Sequence, residues 1–113
     1  MPRNMSFFYT QQQIRNRTKT VTRRLGWYNF KPGTVLNACE KCQGLKKGEK
    51  IVKMCKIRIL NTRAEALSAI THADVAREGF PGMSTSAFIK MFTRHMKCKY
   101  YTIVNRIEFE YLK

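Results

Sequence analysis

Hydrophobic and polar positions alternate most clearly near the end of the chain. Tyr101, Ile103, Ile107, Phe109 and Tyr111 fall on one set of positions; Thr102, Arg106, Glu108 and Glu110 fall on the other. A period of two predicts a long last strand over 100–111 with one solvated face. The same rule predicts an interior strand over 51–60. There Ile51, Cys55, Ile57 and Ile59 share one face, and Val52, Met54, Lys56 and Arg58 share the other. Between these strands the period changes. Phe88, Met91, Phe92, His95 and Met96 recur at helical spacing, with Ser84 or Thr85 placed to cap the helix. A shorter helix starts at Thr71 as N-cap, with Asp74 three residues on, and stops at Gly79.

The first third of the chain is more broken. Ser6-Phe7-Phe8-Tyr9 suits a first strand or a packed lead-in, and Thr10 can cap a short helix through Ile14. Thr20, Val21 and Thr22 are β-branched, which favours an extended backbone over 18–24. Lys31-Pro32-Gly33 reads as a turn into a strand over 34–38, and the glycines and lysines of 40–50 read as an exposed loop. Roughly five strands therefore interleave with two or three short helices. This is an α+β domain whose strands are expected to close into a small barrel, leaving no exposed edge.

Length and charge narrow the function classes. At 113 residues the chain is one domain, spanning 1–113. Lys and Arg number 22 against 7 Asp and Glu, a formal charge of +15 spread along the whole sequence. Such a surface attracts polyanions, nucleic acid first among them. An anionic membrane surface fits less well, because no long basic amphipathic helix is present. No apolar run approaches the roughly 20 residues needed to cross a membrane, and the N-terminus is too poor in apolar residues for a signal peptide. A soluble, cytoplasmic protein is the expectation. Cys39 and Cys42 form a C-x2-C, but Cys55, Cys98, His72 and His95 are scattered too widely for a compact zinc site. Free thiols, no metal and no cofactor are expected.

The heptapeptide TKTVTRR, 18–24, holds the candidate chemistry. Its lysine and two arginines are costly to desolvate, so they should face water or an anion. A basic segment bearing hydroxyls can hold a phosphate, a carboxylate or a polarised carbonyl. Lys19, Arg23 and Arg24 would centre a basic cleft, extended by Arg17 and by Lys46, Lys47 and Lys50. Trp27 and Tyr28 could stack on bases, or simply pack.

The order of these segments resembles the ASCH domain, a branch of the PUA-like superfamily. The resemblance covers nearly the whole chain and rests on four pieces in order: the aromatic lead-in and short helix ending in TKTVTRR, then KPGTVL (31–36), ITHADVAREGFPGMS (70–84) and TIVNRIEFEYL (102–112). The EGFP segment, with Phe88 soon after it, looks like the small ASCH proteins of phages and prophages. What the resemblance implies is a small PUA-like β-barrel with flanking helices and a cleft suited to RNA or a nucleoside. Some small bacterial ASCH proteins are amidohydrolases that remove the acetyl group of N4-acetylcytidine, using a lysine, a threonine three residues on and a glutamate beyond mid-chain. The matching residues here are Lys19 and Thr22 in KTVT and Glu78 in AREGF, and Arg24 matches a further basic position.

Amide hydrolysis needs a nucleophile, a base and help for the oxyanion. Thr22 could supply the hydroxyl, Lys19 the base and Glu78 a proton shuttle. Residues three apart in a regular strand point to opposite faces. Lys19 and Thr22 can therefore meet only if the chain bends between them or the strand starts after Lys19. Three readings are open: a module binding RNA or another polyanion through the cleft; an amidohydrolase acting on a modified nucleoside, or a nuclease of the same fold; and a phage-type protein that binds a host factor.

Overall fold

The computed structural model of the protein describes residues 2–113. Five strands lie in one mixed sheet: β1 (Arg3–Ser6), β2 (Val21–Arg24), β3 (Val35–Cys39), β4 (Lys53–Ala66) and β5 (Ile103–Tyr111). Three helices accompany them: α1 (Gln11–Arg15), α2 (His72–Arg77) and α3 (Thr85–Met96). The strand order is β1-β3-β4-β5-β2, with β1 parallel to β3 and the other pairs antiparallel. No helix among the described residues is long and apolar enough to cross a membrane.

The spine is the β4–β5 pair. Ile57 lies opposite Tyr111 and Ile59 opposite Phe109, so the alternation read from both segments places these side chains on one face. That face forms a first core with Met5, Phe7, Ile14, Leu36 and Ile107. The opposite face is covered by α2 and α3, which bury Val75, Phe88 and Phe92 against Leu67, Ile70 and Val104. β4 is longer than the 51–60 segment and starts later. Ile51 and Val52 are exposed, and the strand runs on to Ala66. The register shifts between Ile59 and Asn61, a bulge that leaves Leu60 exposed and reverses the parity of the rest of the strand. Thr62 then lies opposite Ile107, and Glu65 opposite Val104 on the helix-covered face.

Other expectations shift by a residue or two. The first strand is Arg3–Ser6, and Phe8–Thr10 is a 3-10 turn, so 6–9 is the packed lead-in. Thr10 holds the N-cap position of α1 but makes no capping bond; its hydroxyl does not reach the helix N–H groups. The third strand ends at Cys39, not Ala38. Thr71 and Ser84 do cap their helices, accepting from the N–H of Asp74 and Ala87. The expected closed barrel is an open one. β1 and β2 end the strand order, and among the described residues no hydrogen-bonded ladder joins them. Side chains bridge the seam instead: the Arg24 guanidinium lies 4.6 Å from the Phe7 ring centroid, and that of Arg3 lies 5.1 Å from those of Trp27 and Phe30.

A buried ionic network ties α2 to the sheet. Alternation alone predicts a solvated face for Arg106, yet this residue is 3% exposed. Its Nε and Nη2 donate to Asp74 Oδ2 at 2.6 Å and Oδ1 at 3.0 Å. Arg23, opposite it on β2, donates to Asp74 Oδ2 at 2.6 Å and to Glu65 Oε2 at 2.8 Å. The Asp74 carboxylate thus bridges two strands and does not return to the backbone of Thr71 as a capping box would. The bond from Arg106 holds Asp74 well below its ordinary 3.8; burial opposes this and the bond from Arg23 adds to it. A bidentate, charge-assisted contact of this kind is strong because nothing solvates the ions in its place.

This packing makes two predictions about stability. Asp74 has a depressed pKa in the folded protein, so its contribution is complete above its ordinary value and is lost as pH falls below about 3.8. Asp74→Asn should cost about 3–5 kcal/mol at neutral pH by leaving two buried arginines undercompensated. It should also flatten the acid limb of stability measured by urea unfolding between about pH 5 and pH 2. A variant with unchanged midpoint would contradict the clamp. Gly79 comes directly after Glu78 at φ +106°, and a Cβ there would sit 2.6 Å from Gln13 Cγ. Gly79→Ala should therefore cost about 1–3 kcal/mol, read from the same unfolding curves.

Candidate functional site

Lys19 is held through both its backbone and its side chain. Its N–H donates to the Gln13 carbonyl at 3.3 Å, and its carbonyl accepts from Tyr111 Oη at 2.5 Å. β2 begins only at Val21, so Lys19 precedes the strand and escapes its alternation, as a meeting with Thr22 requires. Its Nζ donates to Glu78 Oε1 at 2.7 Å and to the Glu78 carbonyl at 2.9 Å. One ammonium thus satisfies both the carboxylate and a backbone carbonyl just past the C-terminal end of α2, where the helix dipole disfavours an acid. Arg23 Nη1 donates to the other oxygen, Glu78 Oε2, at 3.1 Å. The Lys19 and Glu78 side chains are each 4% exposed.

Thr22 and Arg24 share a face of β2, and Arg24 Nε donates to Thr22 Oγ1 at 3.1 Å. Arg23 turns to the opposite face, toward α2. Because β2 is an edge strand, a cavity on its free side receives side chains from both faces. Lys19, Thr22, Arg23, Arg24 and Glu78 all line this one cavity of about 90 Å³. Phe80, Phe88 and Phe92 give it an apolar wall. Phe8, Tyr9 and His95 also line it, all three exposed, with the Tyr9 and His95 rings stacked at 4.0 Å.

Burial pulls the Lys19 ammonium below its ordinary 10.5; Arg24 and Arg23 push the same way and Glu78 opposes. Burial likewise lowers Arg24, to about 10. Arg23 is raised: burial works against its charge, but its bonds to Asp74, Glu65 and Glu78 outweigh it. Chemically the cavity offers a hydroxyl with a guanidinium on its oxygen, an amine whose charged form is disfavoured, and a carboxylate beside that amine.

The sequence-derived site divides. Lys19, Thr22 and Glu78 come together, with Arg23 and Arg24. Arg17, Trp27 and Tyr28 do not line the cavity. Arg17 is exposed with its guanidinium 5.5 Å from the Tyr111 ring centroid. Trp27 packs half-buried beneath Arg3, and Tyr28 is 51% exposed with its hydroxyl on the Ile103 carbonyl. The cleft is also less basic than the sequence implies, because Lys19 and Arg23 are both spent in ion pairs. Asp74, Glu65 and Arg106 were missed as members of the site's support. The signal for Arg106 was a charge inside the run Ile103-Val104-Asn105-Arg106-Ile107. Among the described residues no three His, Cys, Asp or Glu side chains gather where they could hold a metal ion.

No family model matches the sequence, and no curated protein matches it. Solved structures do match its fold. The protein EF3133 from Enterococcus faecalis V583, of family DUF984, superposes with a TM-score of 0.67 at 14% identity, covering 99% of this chain and 80% of that one. The hypothetical protein PH0355 gives 0.64 at 18% identity, covering 98% and 97%. An ASCH domain from Lactobacillus crispatus JV V101 gives 0.65 at 13% identity, covering 96% and 78%. Identity this low carries the architecture and nothing finer: the chain shares the fold of these three structures, one of them an ASCH domain.

Proposed function

We propose that the cavity receives a base-sized ligand carrying an exocyclic N-acyl group, and that Lys19, Thr22 and Glu78 hydrolyse that amide. N4-acetylcytidine is the substrate the sequence resemblance implies. The observation that supports this reading is the convergence of those three side chains on one small, largely apolar cavity. A volume of about 90 Å³ falls well below the roughly 300–1,000 Å³ of sites for larger ligands, so it suits a single ring with a short substituent.

In the proposed reaction, Thr22 Oγ attacks the acyl carbon while its proton passes to the neutral amine of Lys19. Arg24 Nε, already on Thr22 Oγ, holds the hydroxyl in place, and the terminal N–H groups of the same guanidinium stabilise the negative charge that develops on the acyl oxygen. The C–N bond then breaks as the leaving nitrogen takes a proton from the Lys19–Glu78 pair. Water attacks the threonyl ester, releasing the carboxylate and restoring the hydroxyl. Lys19 is suited to this because its burial favours the neutral form, and Glu78 holds the amine in place. A second reading, polyanion binding without turnover, is favoured by the +15 charge and by the exposed Lys46, Lys47 and Lys50.

Incubation with N4-acetylcytidine, followed by chromatography for cytidine and acetate, tests the first reading. Lys19→Ala and Thr22→Ala should each lower kcat by about 10²-fold or more, with Thr22→Ser retaining part of the rate. A base with a lowered pKa loses its proton earlier than free lysine, so kcat/KM should rise with pH along a limb below 10.5. Turnover that survives Lys19→Ala would place the chemistry elsewhere.

A further inference from the structure

The C-x2-C of Cys39 and Cys42 lies beside the cavity and takes no part in the proposed hydrolysis. β3 ends at Cys39, and the register shifts between Ala38 and Cys39 as the chain leaves the sheet. Cys39 is fully buried, and its Sγ lies within hydrogen-bonding reach of the Asn37 carbonyl, at 3.6 Å, and of the Cys42 sulfur. Burial pushes the Cys39 thiol up to about 11, and Cys42 adds to the shift. Cys42 is only half-buried and belongs to the irregular segment 40–50. The two sulfurs are therefore unlike: one is inaccessible and keeps its proton, and the other is reachable from solvent. A disulfide between residues three apart closes a short loop, so it adds little stability and is easily reduced, as an exchanging bond must be.

Cys42 opens onto a groove of about 640 Å³ along the seam between β1 and β2. Arg3, Arg24 and Lys41 line this groove with Cys42, and no acidic residue does. Among the described residues Arg24 has no carboxylate at ion-pair distance, and its one hydrogen bond goes to the neutral Thr22 hydroxyl. Burial lowers Arg24, and Glu78 and the Cys42 sulfur oppose the shift, which places that sulfur in the field of the guanidinium. Lys41 holds Glu49 at 3.5 Å in solvent, a pairing worth little and easily exchanged. Reactive cysteines sit in electropositive, partly exposed surroundings of this kind. Three cations around one accessible thiol select an anion, and the thiol selects an anion with a bond it can attack.

We infer that Cys42 and Cys39 are a thiol–disulfide exchange pair whose substrate is a small anionic disulfide seated on Arg3, Arg24 and Lys41. Cys42, as thiolate, attacks one sulfur of the disulfide R–S–S–R. A Cys42–S–S–R bond forms and the other half leaves as RS⁻. Cys39 then gives up its proton and attacks Cys42 Sγ, forming the Cys39–Cys42 disulfide and releasing the second RS⁻. Two electrons pass from the protein dithiol to R–S–S–R, and the two protons lost by Cys42 and Cys39 end on the released thiolates. Cys55, opposite Ala38 on β4, is the competing resolving thiol; Cys98 packs against the other core.

The test incubates reduced protein with glutathione disulfide, quenches with acid, alkylates and maps the peptides by mass spectrometry. The wild type should lose two hydrogens and carry a Cys39–Cys42 bond that excess glutathione reverses. Cys39→Ala should stop at one glutathionyl group on Cys42, and Cys42→Ala should leave Cys39 unmodified over the same time. Arg3→Ala with Lys41→Ala should slow the reaction with glutathione disulfide at least about tenfold at low salt, without slowing that with cystamine, a cationic disulfide. Lys56→Ala with Lys99→Ala, which removes two exposed cations outside the groove, is the control for diffuse attraction. In the wild type, no oxidation, a persistent mixed disulfide or a bond from Cys42 to Cys55 would overturn the pair. A groove variant that responds alike to the two disulfides, or no more than the control variant does, would overturn the anionic substrate.

Discussion

The Asp74 carboxylate, held between Arg106 and Arg23, fixes the geometry on which the rest of the site depends. α2 has six residues and would not hold a helical shape alone. Its one fully buried apolar residue is Val75, too little to set the angle at which it meets the sheet. Two guanidiniums on adjacent strands supply that angle, because a carboxylate buried at 5% exposure is tolerable only where both oxygens are satisfied. The position of Glu78 is set in turn, since it lies one turn further along the same helix. Lys19 then closes the arrangement from the other side. The clamp and the candidate chemistry are therefore one structure, and the bulge at Leu60 belongs to it because it turns Glu65 toward Arg23.

The charge of the chain and the charge of the site are different quantities. A net +15 would make any cleft look basic, yet the cavity and its support set Lys19, Arg23, Arg24 and Arg106 against Glu65, Asp74 and Glu78. Long-range attraction belongs to the exposed lysines and arginines, which raise the local concentration of a polyanion and lose that effect in salt. Selection inside the cavity belongs to shape and to a few fixed donors. Arg24 stands between the two regimes, at the point where the neutralised interior meets the acid-free groove.

Legibility in the sequence divides along the same line between local and distant effects. Period-two alternation found β4 and β5, and helical spacing with capping residues found α2 and α3, because these signals are local. The convergence of Lys19, Thr22 and Glu78 came from the family resemblance, not from spacing, and the start of β2 at Val21 is what permits it. The role of Arg106 was not legible. Alternation reports that one face of a strand is polar, but it does not distinguish a face covered by water from one covered by a helix carrying a carboxylate. Arg17 and Tyr28 lie outside the cavity for a related reason: a basic or aromatic residue near a site in sequence need not be near it in space. Trp27, open in the sequence to stacking or to packing, packs beneath Arg3.

The open seam gives the site its position. Had β1 and β2 paired, the barrel would have closed and the free edge of Val21–Arg24 would have been sealed by a ladder. An unpaired edge is a liability in most sheets because it invites another chain. Here it is four residues long, carries two arginines and is flanked by the Lys19–Glu78 pair, each of which discourages a foreign strand. The gap left between the two end strands is bridged by guanidiniums on rings, contacts that tolerate displacement better than a hydrogen-bonded ladder does. A sheet left open at one place, with its edge protected by charge and its gap lined with cations and aromatics, keeps an entrance that a closed barrel of the same strands would lack. The site lies at the seam because a free strand edge, a buried ion pair and an apolar helix face meet there.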